Sequence, residues 1–312
     1  MEQSLIDTQE QTDSTPGRSV PPAVVAPSLG SETGAVSPQA CPTCGTAPAS
    51  SGGPDGAPPW IYAVGRIEAR FPSLSVEKEF AQATGRDKTS GLTDRQALHT
   101  VLSKPENRYL LRQCCFVMMI EGLATYILVP RDPSDLTLLV EALRPNPSPM
   151  DLDVVIGMQG PIASPQTCNG LTVPVVFFDQ IYSFDRDALI KSIPKPEKTS
   201  AKEFAPVAEE LLDRLMQMAD NAGGADQHRA LNYLAVRYQA IYARAAEYFA
   251  QNCSLTSVDV RTSPLSGVRN VVDVIFSYTH RDTDVVDKCF VRVDVTEEFP
   301  FLVTKLSPYY DH

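Results

Sequence analysis

The sequence predicts an α+β fold, with antiparallel strands at both ends of the folded region and a long helical pair between them. Two observations support this prediction. Apolar and polar residues alternate over 61–71 near the start and over 272–278 and 289–295 near the end, which is typical of half-buried strands. Between them, apolar residues recur every three or four positions over 226–250, which is typical of an amphipathic helix.

The first half of the folded region predicts short elements that alternate in type. In chain order they are a strand over 61–71, a short helix that Gly85 ends, a helix over 93–102, a hairpin from strands over 115–120 and 125–129, a helix over 133–143, strands over 152–158 and 171–178, and a brief helix capped by Asp185. The later half predicts two long helices over 206–221 and 226–250, and a strand meander that closes over 299–306.

Composition divides the chain into two parts. Residues 1–58 are rich in Pro, Gly, Ser, Thr and Ala and have few large apolar side chains, so we expect a disordered tail. Residues 59–312 have enough apolar side chains for one α+β domain. The lysine-rich stretch 191–202 is a candidate boundary within that domain.

Charge and hydropathy exclude some partners. The 312 residues carry a formal net charge of −11, which repels phosphate backbones, so we expect no nucleic acid partner. The N-terminus lacks the apolar run of a signal peptide, and no apolar stretch is long enough to span a bilayer. We therefore expect a cytoplasmic protein without membrane contact.

Seven cysteines include one close pair, Cys41 and Cys44, in the motif Cys-Pro-Thr-Cys-Gly. Two thiolates at this spacing form half of a zinc site, and zinc is the one candidate cofactor. The missing ligands could come from Cys114 and Cys115, from a histidine, or from the same motif in a homodimer. The alternative is a pair of free thiols. In a reducing cytoplasm we expect the remaining cysteines to be buried thiols and not disulfides.

Four long segments then identify a similar family. They are YAVGRIEARFPSLSVEKEFAQATGR, VVFFDQIYSFDRDALIKSIP, HRALNYLAVRYQAIYARAAE and VRVDVTEEFPFLVTKLSPYYDH. Together they resemble the C-terminal domain of unknown function in cyanobactin maturation proteases of the PatG type, over about residues 41–312. In that family a subtilisin-like protease, and in some members a flavin oxidase, precedes this domain. Neither sequence precedes it here, so the resemblance implies the companion domain without the family's chemistry.

The residues themselves give little support to catalysis. Four histidines are present, but none lies in the glycine-rich surroundings of a hydrolase triad, and neither a G-x-S-x-G motif nor a phosphate-binding loop occurs. The acidic pairs Glu297–Glu298 and Asp151–Asp153 are interpreted as solvated strand ends. Cys168 precedes an Asn-Gly turn, which we expect to expose its thiol. We interpret Cys168 as a structural residue and not as a catalytic one. Tyrosines of the long helix, Tyr233, Tyr238, Tyr242 and Tyr248, are interpreted as core residues.

The resulting hypothesis is a non-catalytic accessory module of ribosomal peptide biosynthesis. It would bind a precursor peptide or hold peptide-modifying enzymes, through a strand edge of the meander over residues 268–306. The alternative is an enzyme of unrecognised class, whose site is assembled from residues far apart in sequence and depends on a metal or a cysteine.

Overall fold

The structure is a computed structural model, and it describes residues 60–86, 91–194 and 201–310. The predicted tail over 1–58 and the Cys41–Cys44 motif lie outside these residues. Within them the chain forms a closed five-stranded barrel, followed by four helices that pack with a four-stranded sheet. The predicted α+β class is confirmed. The described part of the chain contains no helix that is both long and apolar enough to span a membrane.

The barrel contains the first five strands. They are β1 (Trp60–Arg70), β2 (Cys115–Ile120), β3 (Leu123–Pro130), β4 (Asp151–Ile162) and β5 (Pro174–Asp185). Around the barrel they follow the order β1-β2-β3-β5-β4, and β4 pairs with β1 to close it. Four pairings are antiparallel, but β3 and β5 pair in parallel, so the expectation of purely antiparallel strands is wrong at this one position.

Four helices cover the barrel. They are α1 (Leu74–Arg86), α2 (Asp94–Leu102), α3 (Arg108–Gln113) and α4 (Leu136–Leu143). Helix α2 begins with a capping box, in which Thr93 and Gln96 exchange side-chain and backbone hydrogen bonds. Apolar side chains of these helices form one continuous core with the side chains that point into the barrel. Leu139 of α4 and Val155 of β4 are both fully buried in this core. A helix between the third and fourth strands, with this strand order, is the arrangement of OB-fold barrels.

The rest of the described chain is a helical layer on an antiparallel meander. The helices are α5 (Arg186–Ser192), α6 (Ala201–Met216), α7 (Asp226–Arg237) and α8 (Ala240–Ala250), and the strands are β6 (Cys253–Thr262), β7 (Val271–His280), β8 (Val286–Asp294) and β9 (Phe301–Pro308). The sheet has the order β6-β7-β8-β9. Strands β7, β8 and β9 form the meander that the sequence predicted, whereas β6 was not predicted. One sheet face packs on α6, α7 and α8 in a separate core.

The second long helix predicted over 226–250 is two helices. Tyr238 leaves the helical conformation with φ −112° and ψ 83°, and α8 begins two residues later. No glycine or proline marks this break. The Tyr238 hydroxyl accepts a hydrogen bond from the Leu306 amide at 3.0 Å, so contact with β9 accompanies the interruption.

A short turn after α6 attaches the helical layer to the barrel. The Tyr62 amide of β1 donates to the Gly223 carbonyl at 2.9 Å, and Asn232 of α7 donates to the Tyr62 carbonyl at 2.8 Å. Gly223 has φ +77°, and a Cβ there would lie 2.4 Å from the Tyr62 oxygen. Only glycine allows the two backbones to approach this closely. The barrel and the helical layer are therefore in direct backbone contact.

Candidate functional site

The clearest candidate site is a groove between helix α6 and strand β6. Its first part is a small recess of about 30 Å³ beside the beginning of β6, and its second is an open recess of about 290 Å³ farther along. The first is lined by Val207 and Leu211 of α6 with Ser254 and Leu255 of β6. The second is lined by Arg214, Gln217, Met218, Thr256, Ser257 and Val258. From the first recess to the second, residue numbers increase along both α6 and β6, so the helix and the strand run in the same direction.

The two walls of the groove have matching lengths. Residues 207–218 span about 16 Å at the rise of an α-helix, although the last two lie just beyond α6. Residues 253–258 span about 16 Å at the rise of a strand. The groove therefore follows about six residues of β6, a length suited to an extended peptide.

Strand β6 is an edge of the sheet. Among the described strands it pairs with β7 alone. In an antiparallel edge strand, alternate residues direct their N–H and C=O groups away from the neighbouring strand. Thr256 is the extra residue of a bulge between Leu255 and Ser257, and it is exposed. The β6 edge thus has unpaired backbone groups and a local bulge, and residues of the same strand line the groove.

The opposite edge strand, β9, is closed by two tyrosines of the α7 region. The Tyr238 hydroxyl accepts from the Leu306 amide, as described above. Burial raises the pKa of Tyr233, and a hydrogen bond from the Leu302 backbone to its hydroxyl opposes that rise. Capping of edge amides discourages pairing with another strand. The β6 edge is consequently the better candidate of the two for peptide binding.

The groove has an apolar floor and charged side chains along its walls. Leu211 and Leu255 are buried beneath it. Glu210 and Arg214 form an exposed ion pair at 3.3 Å on its helical wall. In the first recess, which Glu210 also lines, the Arg281 guanidinium lies 4.7 Å from the centre of the Phe249 ring and donates to the Ser254 hydroxyl at 2.8 Å. Because these charges are already engaged with one another or with polar groups, the surface favours apolar and backbone contacts with a ligand.

The cysteines behave differently from the prediction. Cys115 and Cys168 form a disulfide across 53 residues, so the expectation of thiols only is wrong, and Cys168 is buried and not exposed. The Asn-Gly turn after it does form, with positive φ at Asn169 and Gly170. Cys115 is unavailable as a zinc ligand while it is bonded to Cys168. Within the described ranges, no group of three or more metal-ligating side chains comes together.

The acidic pairs are also placed differently. Asp151 and Asp153 are buried, which contradicts their interpretation as solvated residues. Asp151 pairs with Arg144 and accepts from the Ser148 amide at 2.6 Å. Asp153 accepts from the Ile67 amide at 2.7 Å and from the Ser183 hydroxyl at 2.5 Å, while burial raises its pKa. Each carboxylate has its own structural partners.

Glu298 forms a carboxyl pair that sequence reasoning did not identify. Burial raises the pKa of Glu298 to about 7, and a hydrogen bond with Asp179 of β5 adds to this rise. Asp179 also forms an ion pair with Arg131 at 2.7 Å. Glu297, its neighbour in sequence, is exposed. The pair joins the β8–β9 turn to the barrel, and its members are 119 residues apart, which hides it from any local motif.

The three histidines of the described residues lie in separate elements: His99 in α2, His228 in α7 and His280 at the end of β7. Burial lowers the pKa of both His99 and His228. The His280 ring accepts from the Asp282 amide at 3.2 Å within its own turn. Their positions in separate elements give no support to a triad.

The comparisons with known proteins agree with this fold. Residues 198–309 match the family model described as PatG C-terminal. A solved structure described as a PatG domain of unknown function is similar with a TM-score of 0.66 and 18% sequence identity, over 80% of this chain and 98% of that chain. At this identity the similarity shows a shared fold. No curated protein matches the chain in sequence.

The resemblance expected from the sequence is therefore confirmed, by the family match over 198–309 and by the shared fold over most of the chain. The residues matched to the PatG C-terminal model contain α6 and β6, and so both walls of the groove. The barrel precedes the matched residues.

Proposed function

We propose that the protein is a non-catalytic peptide-binding module that serves the biosynthesis of ribosomally made, modified peptides in the cytoplasm. Its ligand would be an extended segment of a precursor peptide, or of a modifying enzyme, added to the β6 edge along α6. The pathway is suggested by the similarity to PatG C-terminal domains. The binding mode is suggested by the β6 edge that faces a groove of matching length, and this is the observation on which the proposal rests.

The contacts predict how such a ligand would bind. Backbone hydrogen bonds to β6 would supply part of the affinity, and side chains on one face of the added strand would contact the apolar floor. Because the charged groups of the groove have partners already, binding should change little with salt. Exposed charge pairs, in contrast, are screened over about 10 Å at 0.1 M salt.

The proposal is tested by calorimetry with precursor peptides and modifying enzymes encoded beside the protein. Thr256→Pro places a ring and removes an amide at the β6 bulge. The β6–β7 register skips Thr256, so no strand pairing is lost, but the bonds of its hydroxyl with the Ser277 carbonyl and the Thr279 hydroxyl of β7 are lost with the side chain. We expect it to weaken binding about tenfold or more, the equivalent of one or two hydrogen bonds.

The matched control is Val303→Pro, since Val303 is skipped in the register between β8 and the capped edge strand β9. Binding to this variant should stay within about twofold of the original. Equal losses in both variants would place the ligand elsewhere. Absence of binding to any precursor or enzyme would refute the proposed function itself.

A second candidate function, an enzyme with a dispersed site, is favoured by the Glu298–Asp179 pair. A carboxyl group with a pKa near 7 beside a second carboxylate has the properties of a general acid. Incubation of the protein with the same peptides, followed by mass spectrometry, distinguishes the two functions. A covalent change that Glu298→Gln abolishes would support the enzyme, and unchanged peptides would support the binding module.

A further inference from the structure

The segment between β4 and β5, residues 163–173, lies across the outside of the barrel. Beneath it are apolar side chains of the outer face, Cys115, Val117, Ile127 and Val175, which are buried although they point away from the barrel core. They form a cluster with Ala163 and Cys168 of the segment itself. The segment is therefore the cover that keeps water from this face.

One bond fixes the middle of this cover. Cys168 is 2% exposed, whereas every other residue over 164–170 is exposed. The backbone hydrogen bonds of this middle part join the segment to itself: Thr167 to Ser164, Gly170 to Pro165, and Leu171 to Cys168. What holds it on the barrel is apolar contact and the disulfide from Cys168 to Cys115 of β2.

The covered face has a characteristic position. In OB-fold barrels, ligands bind on the outer face of the second and third strands, and the loop between the fourth and fifth strands borders that site. Here that loop lies on the face itself, over Val117 of β2 and Ile127 of β3. The surface that barrels of this topology use for binding is thus closed by the chain's own loop.

We propose that residues 163–173 are a redox-released cover of the β2–β3 face. A dithiol reductant supplies two electrons: its thiolate attacks one sulfur of the Cys115–Cys168 bond, and the first protein thiolate leaves and takes up a proton. The second reductant thiol then attacks the mixed disulfide, which releases the other cysteine and leaves a cyclic disulfide of the reductant. Without its bond the segment opens and exposes Val117 and Ile127.

Burial of the bond sets the order of events. Cys115 and Cys168 are 6% and 2% exposed, so a reductant reaches either sulfur only after the segment opens locally. Reduction should therefore be slower than that of an exposed disulfide and should saturate at high reductant concentration. The neighbouring Cys114 does not replace the reductant, because burial raises the pKa of its thiol to about 11.

The test is hydrogen exchange of the full chain, oxidised and after treatment with dithiothreitol. Alkylation in denaturant must first show two additional thiols per chain after reduction. We then expect residues 163–173 to exchange about 100-fold faster, and β2 and β3 also faster, because a constraint on local opening is lost. Helix α7 should be unchanged. The double substitution Cys115→Ala and Cys168→Ala should reproduce this pattern without reductant, and Cys114→Ser should leave the oxidised pattern intact.

Two results would overturn the proposal. Unchanged exchange at residues 163–173 in protein with both additional thiols would show that apolar contact alone holds the segment. Equal loss of protection in α7 would show that the bond supports the whole fold and not a local cover. Since wild-type protein is reduced directly, the test decides the question even if the alanine variants do not fold.

Discussion

The close approach of Gly223 to β1 predicts a large and specific loss of stability for Gly223→Ala. The new Cβ would lie 2.4 Å from the Tyr62 oxygen and 2.7 Å from the Ala63 Cα, both of which belong to a buried strand of the barrel. Neither atom can move without disturbing the barrel, so the turn must move instead. The 2.9 Å hydrogen bond from the Tyr62 amide to the Gly223 carbonyl is then lost or distorted.

The magnitude follows from two contributions. A residue with a Cβ at φ +77° costs about 1–2 kcal/mol in the left-handed region. Loss of a buried backbone hydrogen bond costs about 1–3 kcal/mol, because its partners are left without bonds. We therefore expect the free energy of unfolding to fall by about 2–5 kcal/mol, which lowers Tm by roughly 10 °C in a domain of this size.

Two glycine controls separate these contributions. Gly122 has φ +81°, and a Cβ added there would have no atom within 4 Å, so Gly122→Ala should cost only the conformational part, about 1–2 kcal/mol. Gly267 has open space and no positive φ, so Gly267→Ala should change stability by less than about 0.5 kcal/mol. Urea unfolding followed by circular dichroism measures all three. Equal values for Gly223→Ala and Gly122→Ala would refute the close-approach argument.

Three further predictions concern individual groups. The folded state raises the pKa of Glu298 from its ordinary 4.5 to about 7. The contribution of Glu298 to the free energy of unfolding should therefore be greatest below pH 4.5 and should be lost as the pH rises through 7. Glu298→Gln should flatten that part of the pH profile in urea unfolding, and an unchanged slope would contradict the pairing with Asp179. Tyr238→Phe removes the acceptor of the Leu306 amide and should cost about 1 kcal/mol while increasing hydrogen exchange at that amide; unchanged exchange would argue against the cap. If the Cys41–Cys44 motif binds zinc, elemental analysis of protein purified without chelator should find zinc in stoichiometric amount. Cys41→Ser should abolish zinc binding, and metal-free wild-type protein would refute the zinc hypothesis.

The elements that sequence predicted best are those with a clear local period. Apolar residues recur at every second position over 272–278 and 289–295, with Ile275 and Phe290 as additional apolar residues between them. The structure places β7 and β8 there as neighbours in the meander. Helix α2 follows its capping residue Thr93, which a sequence reader can see directly. In these cases local propensity and tertiary packing favour the same conformation, so the short-range pattern was sufficient.

What sequence could not predict depends on contacts between distant residues. Barrel closure requires Ile61 of β1 to pair with Gly157 of β4, and nothing in either segment specifies the other. The break at Tyr238 contains no helix-breaking residue and coincides with a hydrogen bond to β9. Asp153 resembled a solvated carboxylate because its partners, the Ile67 amide and the Ser183 hydroxyl, are supplied by other strands. The candidate groove was hidden for the same reason, since its helix and strand meet only in the fold.

The two proposed surfaces lie in different parts of the chain, yet they cannot be separated by truncation. The groove is formed by α6 and β6, within the residues similar to PatG C-terminal domains, and the covered face belongs to the barrel. A chain that began after the barrel would leave the Asn232 side chain without the Tyr62 carbonyl and expose the apolar α7 surface that packs on β1. Unpartnered polar groups and exposed apolar area of this kind destabilise a fold by several kcal/mol. Loss of binding in such a fragment would therefore report unfolding and not the location of the ligand. Single substitutions in the intact chain, Thr256→Pro at the groove and the paired cysteine changes at the cover, are the experiments that can assign a partner to either surface.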